Sequence, residues 1–276
     1  GFRDDDTKID ICTWNISSSK IEKIDETSSW SWEQGARLQW MNENEFIYNK
    51  SIKNNPSSVI YNIKSGSKKT LNSCIYSINK NGSILSMNYS RIFKLWKSYG
   101  YNNINSLNID INEKKPDDDG IFLSDFNNNK ELILSIKKAV NLCNLENINK
   151  DFFLCHPTFN PKGDKFISLL RFFNVSGSLT TYLICTDIHK KNNIILAREK
   201  VSHFEWINDN EIIVWCRNLN QKIIKLRNNS FLEKKVFPII RKVLNFSNVN
   251  IKNKILKNDY HLIDINNHHK LKKLNN

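Results

Sequence analysis

Three residues of this sequence stand level in an internal repeat and carry side chains suited to shared chemistry. Arg37, His156 and His203, with Ile75 as the fourth member, each lie three positions before the residue that closes a short apolar segment, respectively Trp40, Phe159, Trp206 and Ile78. Imidazole nitrogens are good ligands for divalent transition metals, so His156 and His203 are the candidate metal ligands. A guanidinium at the same level, Arg37, suits an acidic group instead, because Arg forks carboxylates. Arg91, Tyr99 and Tyr101 form a second candidate set, in which Arg pairs with an acid and the Tyr faces stack on a sugar ring. Arg171 and Arg217 each end an apolar run at matching positions and are candidate rim residues.

Other constellations are silent. Asp117, Asp118, Asp119 and Gly120 lack the further spaced oxygen donors of a calcium loop and read as a turn leading into a strand. Glu33 and Glu205 have no partner whose spacing argues for a glycosidase pair. No G-x-S-x-G, P-loop, H-E-x-x-H or G-x-G-x-x-G string occurs, which removes standard hydrolase, kinase and dehydrogenase readings.

The elements that must position these residues are hairpins. His203 to Trp215 and Arg37 to Asn49 both run through a short strand ending at Trp, a polar turn (Asn208-Asp209-Asn210, Asn42-Glu43-Asn44) and a strongly apolar strand. The same unit recurs over 156–170 around Asn160-Pro161-Lys162-Gly163-Asp164 and over 75–87 around Asn79-Lys80-Asn81-Gly82, where Pro presets φ and Gly takes the positive-φ position. A second hairpin follows in each repeat, through Val59 to Ile63, Gly120 to Asp125 and Tyr182 to Asp187. Paired hairpins in succession are the sequence form of propeller blades. The fold expected is therefore all-β: a β-propeller of four-stranded antiparallel blades in one domain over 1–276, six- or seven-bladed or incomplete. Blades are expected over 36–72, 74–136, 153–199 and 201–229, with outer strands at 8–25 and 258–274 closing the ring, and a short helix within 131–149. Trp40, Ile78, Phe159 and Trp206 are expected to be equivalent buried residues between blades.

Phe159-Asn160-Pro161-Lys162-Gly163-Asp164-Lys165-Phe166 resembles the F-S-P-D-G-x-x-[IL] hairpin of TolB-like propeller repeats. Gln34 to Trp40, Met87 to Arg91 with Tyr99-Gly100-Tyr101, and Ser202 to Trp206 look like a bacterial branch of these propellers, similar to oligogalacturonate lyase. That resemblance spans about residues 30 to 229. It implies channel-mouth histidines holding a divalent metal cofactor such as Mn that assists proton removal α to a uronate carboxylate.

Composition bounds the partners. The formal net charge is +13, from 41 Lys+Arg against 28 Asp+Glu, but the excess is mostly Lys interleaved with Asn and Ile, as codon bias from an AT-rich genome would give. The one concentration of positive charge, from Lys252 to Lys273, lacks the aromatic interleaving of a single-strand platform, so no nucleic-acid partner is expected. No apolar stretch reaches membrane-spanning length, so no membrane insertion is expected. The six cysteines are scattered singly and read as buried, reduced hydrophobes, and a cytoplasmic location is placed ahead of a periplasmic one. Two function classes remain: a non-catalytic binding module for an acidic oligosaccharide or a protein partner and, as the alternative, a metal-dependent oligogalacturonate-type lyase.

Overall fold

The computed structural model describes residues 7–102, 110, 112–189, 192–217, 258–267 and 271–273. Their strands follow one another in antiparallel meanders. A two-stranded hairpin, β1 (Ile9–Asn15) and β2 (Lys20–Thr27), precedes four four-stranded sheets. The first holds β3 (Gln39–Trp40), β4 (Glu45–Asn49), β5 (Ser58–Asn62) and β6 (Lys68–Leu71). The second holds β7 (Ser77–Ile78), β8 (Ile84–Met87), β9 (Gly120–Ser124) and β10 (Lys130–Ser135). The third is β11 (Phe153–Phe159), β12 (Lys165–Phe173), β13 (Leu179–Asp187) and β14 (Asn193–Ala197). The fourth is β15 (Val201–Trp206), β16 (Glu211–Arg217), β17 (Asn258–Asp264) and β18 (Leu271–Lys273). In each sheet the spatial order is the chain order, as in a propeller blade.

Burial explains why these segments are strands. The central strands β12 and β13 are buried at every position except their ends, the mark of a sheet covered on both faces. In β4 the two faces separate by alternation: Phe46 and Tyr48 pack with Ile11, Trp30 and Val59 towards the hairpin, whereas Ile47 packs with Ile60, Ile75 and Ile84 towards the second sheet. One large cluster joins the second, third and fourth sheets through residues such as Leu85, Phe166, Leu183 and Ile212.

Turns tie consecutive blades together. Asn79 Nδ2 donates to Gly163 O at 3.2 Å, and Lys162 N donates to Asp209 Oδ1 at 2.7 Å, so the inner turns of the second, third and fourth sheets are linked in series. Gly163 sits at φ +81°, and a Cβ there would lie 2.6 Å from Asn79 Nδ2, so both its backbone and its space require glycine.

Several expectations change. β1 pairs with β2, from Ile9 opposite Thr27 to Asn15 opposite Lys20, while β18 pairs with β17; the described termini do not share a sheet. The chain reverses within 16–19, where Ser18 N donates to Asn15 Oδ1 at 3.0 Å and Ser19 takes φ 54°, and such a local pairing costs far less closure entropy than joining the two ends. The outer half of the fourth blade is built from 258–273 and not from the stretch up to 229, because Val214 on β16 faces His261 on β17; residues 218–229 lie outside the described set. The fold is thus an incomplete propeller of four blades and a half-blade hairpin among the described residues. The expected helix is α2 (Ile136–Leu142), capped by Ser135, and a further one not foreseen, α1 (Tyr89–Leu95), is capped by Asn88 between β8 and β9. Cys12 is exposed, while the other five cysteines are buried and all six are unpaired.

The equivalent apolar residues also diverge. Phe159 and Trp206 are each 8% exposed and Ile78 is half-buried, but Trp40 is 61% exposed. Trp206 leans on the preceding blade, its indole N–H donating to Thr158 O at 3.1 Å. The element before Trp40 is a two-stranded hairpin with no inner strand to receive it.

The inner strands carry one feature that aims side chains. In β11 the register moves from Cys155 opposite Leu169 to Thr158 opposite Ile167, and in β15 from Ser202 opposite Trp215 to Phe204 opposite Val214, so each strand holds one extra residue. The first blade repeats it, since Asn49 N donates to Ala36 O while Gln39 faces Ile47. His156, His203 and Arg37 occupy these bulges in left-handed backbone, at φ 57°, 43° and 54°. Ile75 does not share that conformation.

Two measurements check this architecture. Trp206→Ala is expected to cost about 3–5 kcal/mol in denaturant unfolding; a loss below about 1 kcal/mol would contradict the packing of the fourth blade on the third. At the exposed bulge, His203→Gly is expected to be more stable than His203→Ala by about 1 kcal/mol, because only glycine takes φ 43° without a Cβ penalty. Equal midpoints for the two variants would show that the left-handed bulge is not held in solution.

Candidate functional site

The bulges of the first, third and fourth blades open onto one cavity of about 690 Å³. Arg37, His156 and His203 line it, as the repeat alignment anticipates, and Tyr99 and Arg171 from the sequence-derived set line it too. Tyr76, Trp96 and Gln34 complete its inner wall, with Glu33 and Glu205 exposed at the rim.

Each group is fixed by its neighbours. Arg37 donates from Nε and Nη2 to Tyr76 O at 3.0 and 2.7 Å, and its Cζ lies 3.8 Å from the Tyr76 ring centroid. Gln39 Nε2 donates to the same carbonyl at 3.0 Å, which joins the first blade to the second. Gln34 Nε2 lies 3.1 Å from His156 Nε2 and 3.3 Å from Tyr76 Oη. The His156 ring sits 5.7 Å from the Tyr76 ring and 5.6 Å from that of Tyr99, and its Nδ1 is buried without a partner among the described residues. Ser202 Oγ lies 2.6 Å from Nδ1 of the exposed His203.

Arg171 is the least ordinary member. It projects from the central strand β12, is only 6% exposed, and stands with Cζ 5.3 Å from the Trp96 ring. It interacts with the Cys155 thiol, but its Nε has no partner among the described residues. Neither Arg171 nor Arg37 meets a carboxylate within ion-pair distance among the described residues. Burial first, then the charges of Arg171, Arg37 and His203, push the His156 imidazole down to a pKa of about 3, so it is neutral at physiological pH.

Two sequence candidates are elsewhere. Arg91 is 1% exposed and locks the segment after α1: its Nε donates to Asp119 Oδ2 at 2.5 Å, Nη1 to Glu113 O at 2.9 Å and Nη2 to Asp110 O at 3.0 Å. Burial raises the Asp119 carboxyl above its ordinary value even beside this cation. Tyr101 is fully buried, stacked on Tyr89 at 4.1 Å, and accepts from Asn49 Nδ2 at 3.1 Å. Both are committed to packing, Arg91 from within α1 and Tyr101 from the segment that follows it. The side chain of Arg217, and residues His268 and His269, lie outside the described set. His261 is buried in the third strand of its blade, its Nδ1 3.0 Å from Asp259 O and 3.5 Å from Cys216 Sγ.

Sequence reasoning missed Gln34, Tyr76 and Trp96. Trp96 follows α1, whose only local signal was the capping Asn88; Gln34 and Tyr76 neighbour aligned residues but carry no spacing of their own.

The donor set does not suit the divalent metal that the lyase resemblance implies. Among the described residues no three His, Cys, Asp or Glu side chains gather, and the imidazole nitrogen of His156 that faces Gln34 is already engaged. Two guanidinium groups beside that ring would repel a cation.

No family model and no curated protein matches the chain. Among solved structures it is similar to TolB from Acinetobacter baumannii, with TM-score 0.44 and 10% identity over 94% of this chain and 47% of that one. It is similar as well to an oligogalacturonate lyase in complex with manganese, at TM-score 0.44 and 7% identity over 96% and 58% of the two chains. An oligogalacturonate lyase from Vibrio parahaemolyticus gives TM-score 0.47 and 10% identity over 96% and 60%. The chain thus spans about half the length of these three structures, from 47% to 60%. The propeller architecture rests on the four four-stranded meander sheets of the chain itself.

Proposed function

We propose that this chain is a non-catalytic binding module whose cavity takes the carboxylate of an acidic carbohydrate. The observation that carries the reading is Arg171: a guanidinium 6% exposed, with an unpartnered Nε and no carboxylate beside it among the described residues, in the wall of a large cavity. A buried cation without a counter-ion is costly, and an anionic ligand is the natural means of offsetting that cost. Arg37 adds a second fixed positive charge, and His156, held neutral, contributes hydrogen bonding without competing for the anion. The half-buried faces of Trp96 and Tyr99 offer apolar planes on which the C–H surface of a pyranose packs. No metal ligand set and no nucleophile with an adjacent base enters this reading.

The test is calorimetric titration with tri-galacturonate and with the neutral galactose trimer. The acid is expected to bind and the neutral sugar to bind at least tenfold more weakly, in line with the roughly 1.5–3 kcal/mol of a charge-assisted hydrogen bond. Arg171→Gln, which keeps bulk and polarity while removing the charge, is expected to lose that preference with its circular dichroism unchanged. Equal binding of the two trimers, or no binding of either at millimolar concentration, would overturn the reading.

A further inference from the structure

We infer that Gln34 sets the specificity of this cavity: with His156 it presents one hydrogen-bond donor and one acceptor beside Arg171, so the preferred ligand carries a hydroxyl group near its carboxylate. This rests on the reading of the cavity as a carboxylate site. Gln34 lies outside the repeat positions, in a tight turn closed by Gly35 N donating to Ser31 O at 2.8 Å and Ser31 N donating to Gly35 O at 3.2 Å. From that turn its amide reaches the imidazole at 3.1 Å and the Tyr76 hydroxyl at 3.3 Å.

Proton counting gives the rest. His156 Nε2, accepting from the Gln34 N–H, cannot carry the ring proton, so the proton sits on Nδ1 and makes it a donor. The Gln34 Oε1 is then an acceptor. Both atoms are buried, and neither has a partner among the described residues. If the amide turns over, Oε1 accepts from Nε2–H and from the Tyr76 hydroxyl; Nδ1 becomes the acceptor and the amide N–H the donor. Either arrangement leaves one donor and one acceptor unmatched. The doubly protonated ring fits neither, since burial and the neighbouring charges of Arg171, Arg37 and His203 disfavour it. A carboxylate supplies acceptors only and leaves the wall's acceptor unpaired, whereas a hydroxyl both donates and accepts. A site built to hydrogen-bond a ligand hydroxyl rejects analogues that lack it.

The experiment pairs nitrogen-15 NMR of the histidine rings with calorimetry on D-galacturonate, which has hydroxyls, and cyclohexanecarboxylate, which has none. In the wild type, His156 is expected to show a single neutral tautomer, and galacturonate is expected to bind about tenfold or more tighter than cyclohexanecarboxylate. Gln34→Met is expected to mix the tautomers and to weaken galacturonate about tenfold while changing cyclohexanecarboxylate less than about twofold. Gln34→Asn, which keeps an amide but draws it back by one methylene, is expected to do the same, so a folding defect in one variant does not decide the result. Equal weakening of both acids would reduce Gln34 to a packing role and overturn the inference, as would an unchanged tautomer and preference. Failure of the wild type to bind either acid would overturn the carboxylate reading and the ligand preference with it, while the ring spectrum still decides separately whether Gln34 fixes His156.

Discussion

The central strands of the third blade bury both faces, and that constraint governs the blades around it. A strand such as β12 or β13 has no solvent side on which to place polar residues, so its sheet needs a sheet on either hand. Stacking follows, and with it the serial hydrogen bonds between inner turns, from Asn79 to Gly163 and from Lys162 to Asp209. The N-terminal hairpin shows what happens where the stack is thin. Ile11 is buried against the first blade, while Trp14, Ile16 and Ile21 are 65%, 78% and 67% exposed.

Such packing leaves little freedom for a functional group, because side chains on the inner strands are expected to interdigitate with neighbouring blades. The extra residue in the inner strand resolves this. It breaks the alternation once and turns Arg37, His156 and His203 out of the interblade layers into a shared space. Left-handed backbone at a residue with a Cβ costs roughly 1–2 kcal/mol, so it persists only where the surroundings determine it. For Arg37 they do so through the two hydrogen bonds of its guanidinium to Tyr76 O. Strain recurring at three blade-related positions, all lining one cavity, is a pattern that packing needs alone do not explain.

The hairpin repeat locates the inner strands because its signals are local: a closing aromatic, a turn with Gly or Asn, an apolar return. Convergence of Arg37, His156 and His203 follows from their level in that repeat, although nothing in three non-glycine residues announces left-handed backbone. The same logic fails for Trp40, since burial depends on what stands beside the residue and not on its place in its own blade. It fails for Arg91 and Tyr101, whose residue types suit a sugar but which α1 and the segment after it turn inward onto Asp119 and Tyr89. β17 is misplaced for a related reason: its partner β16 is far away in sequence, so no local turn announces the pairing, and β18 follows β17 into the same blade. Gln34 opens the Gln34 to Trp40 string that resembles the TolB-like propellers, but no spacing of its own points to the cavity.

The lowered pKa of His156 does not by itself separate the metal and anion readings, because a neutral imidazole is the form that ligates metals as well as the form that accepts or donates a hydrogen bond. The causes of that shift separate them. Burial would serve either ligand. The charges of Arg171 and Arg37 would not: the fields that keep a proton off the ring also oppose a divalent cation and favour a carboxylate. The rim acids Glu33 and Glu205 are exposed, where solvent screens them, while Arg171 is buried, where its field is stronger. Depth therefore gives the buried guanidinium more weight inside the cavity than the exposed carboxylates at its rim.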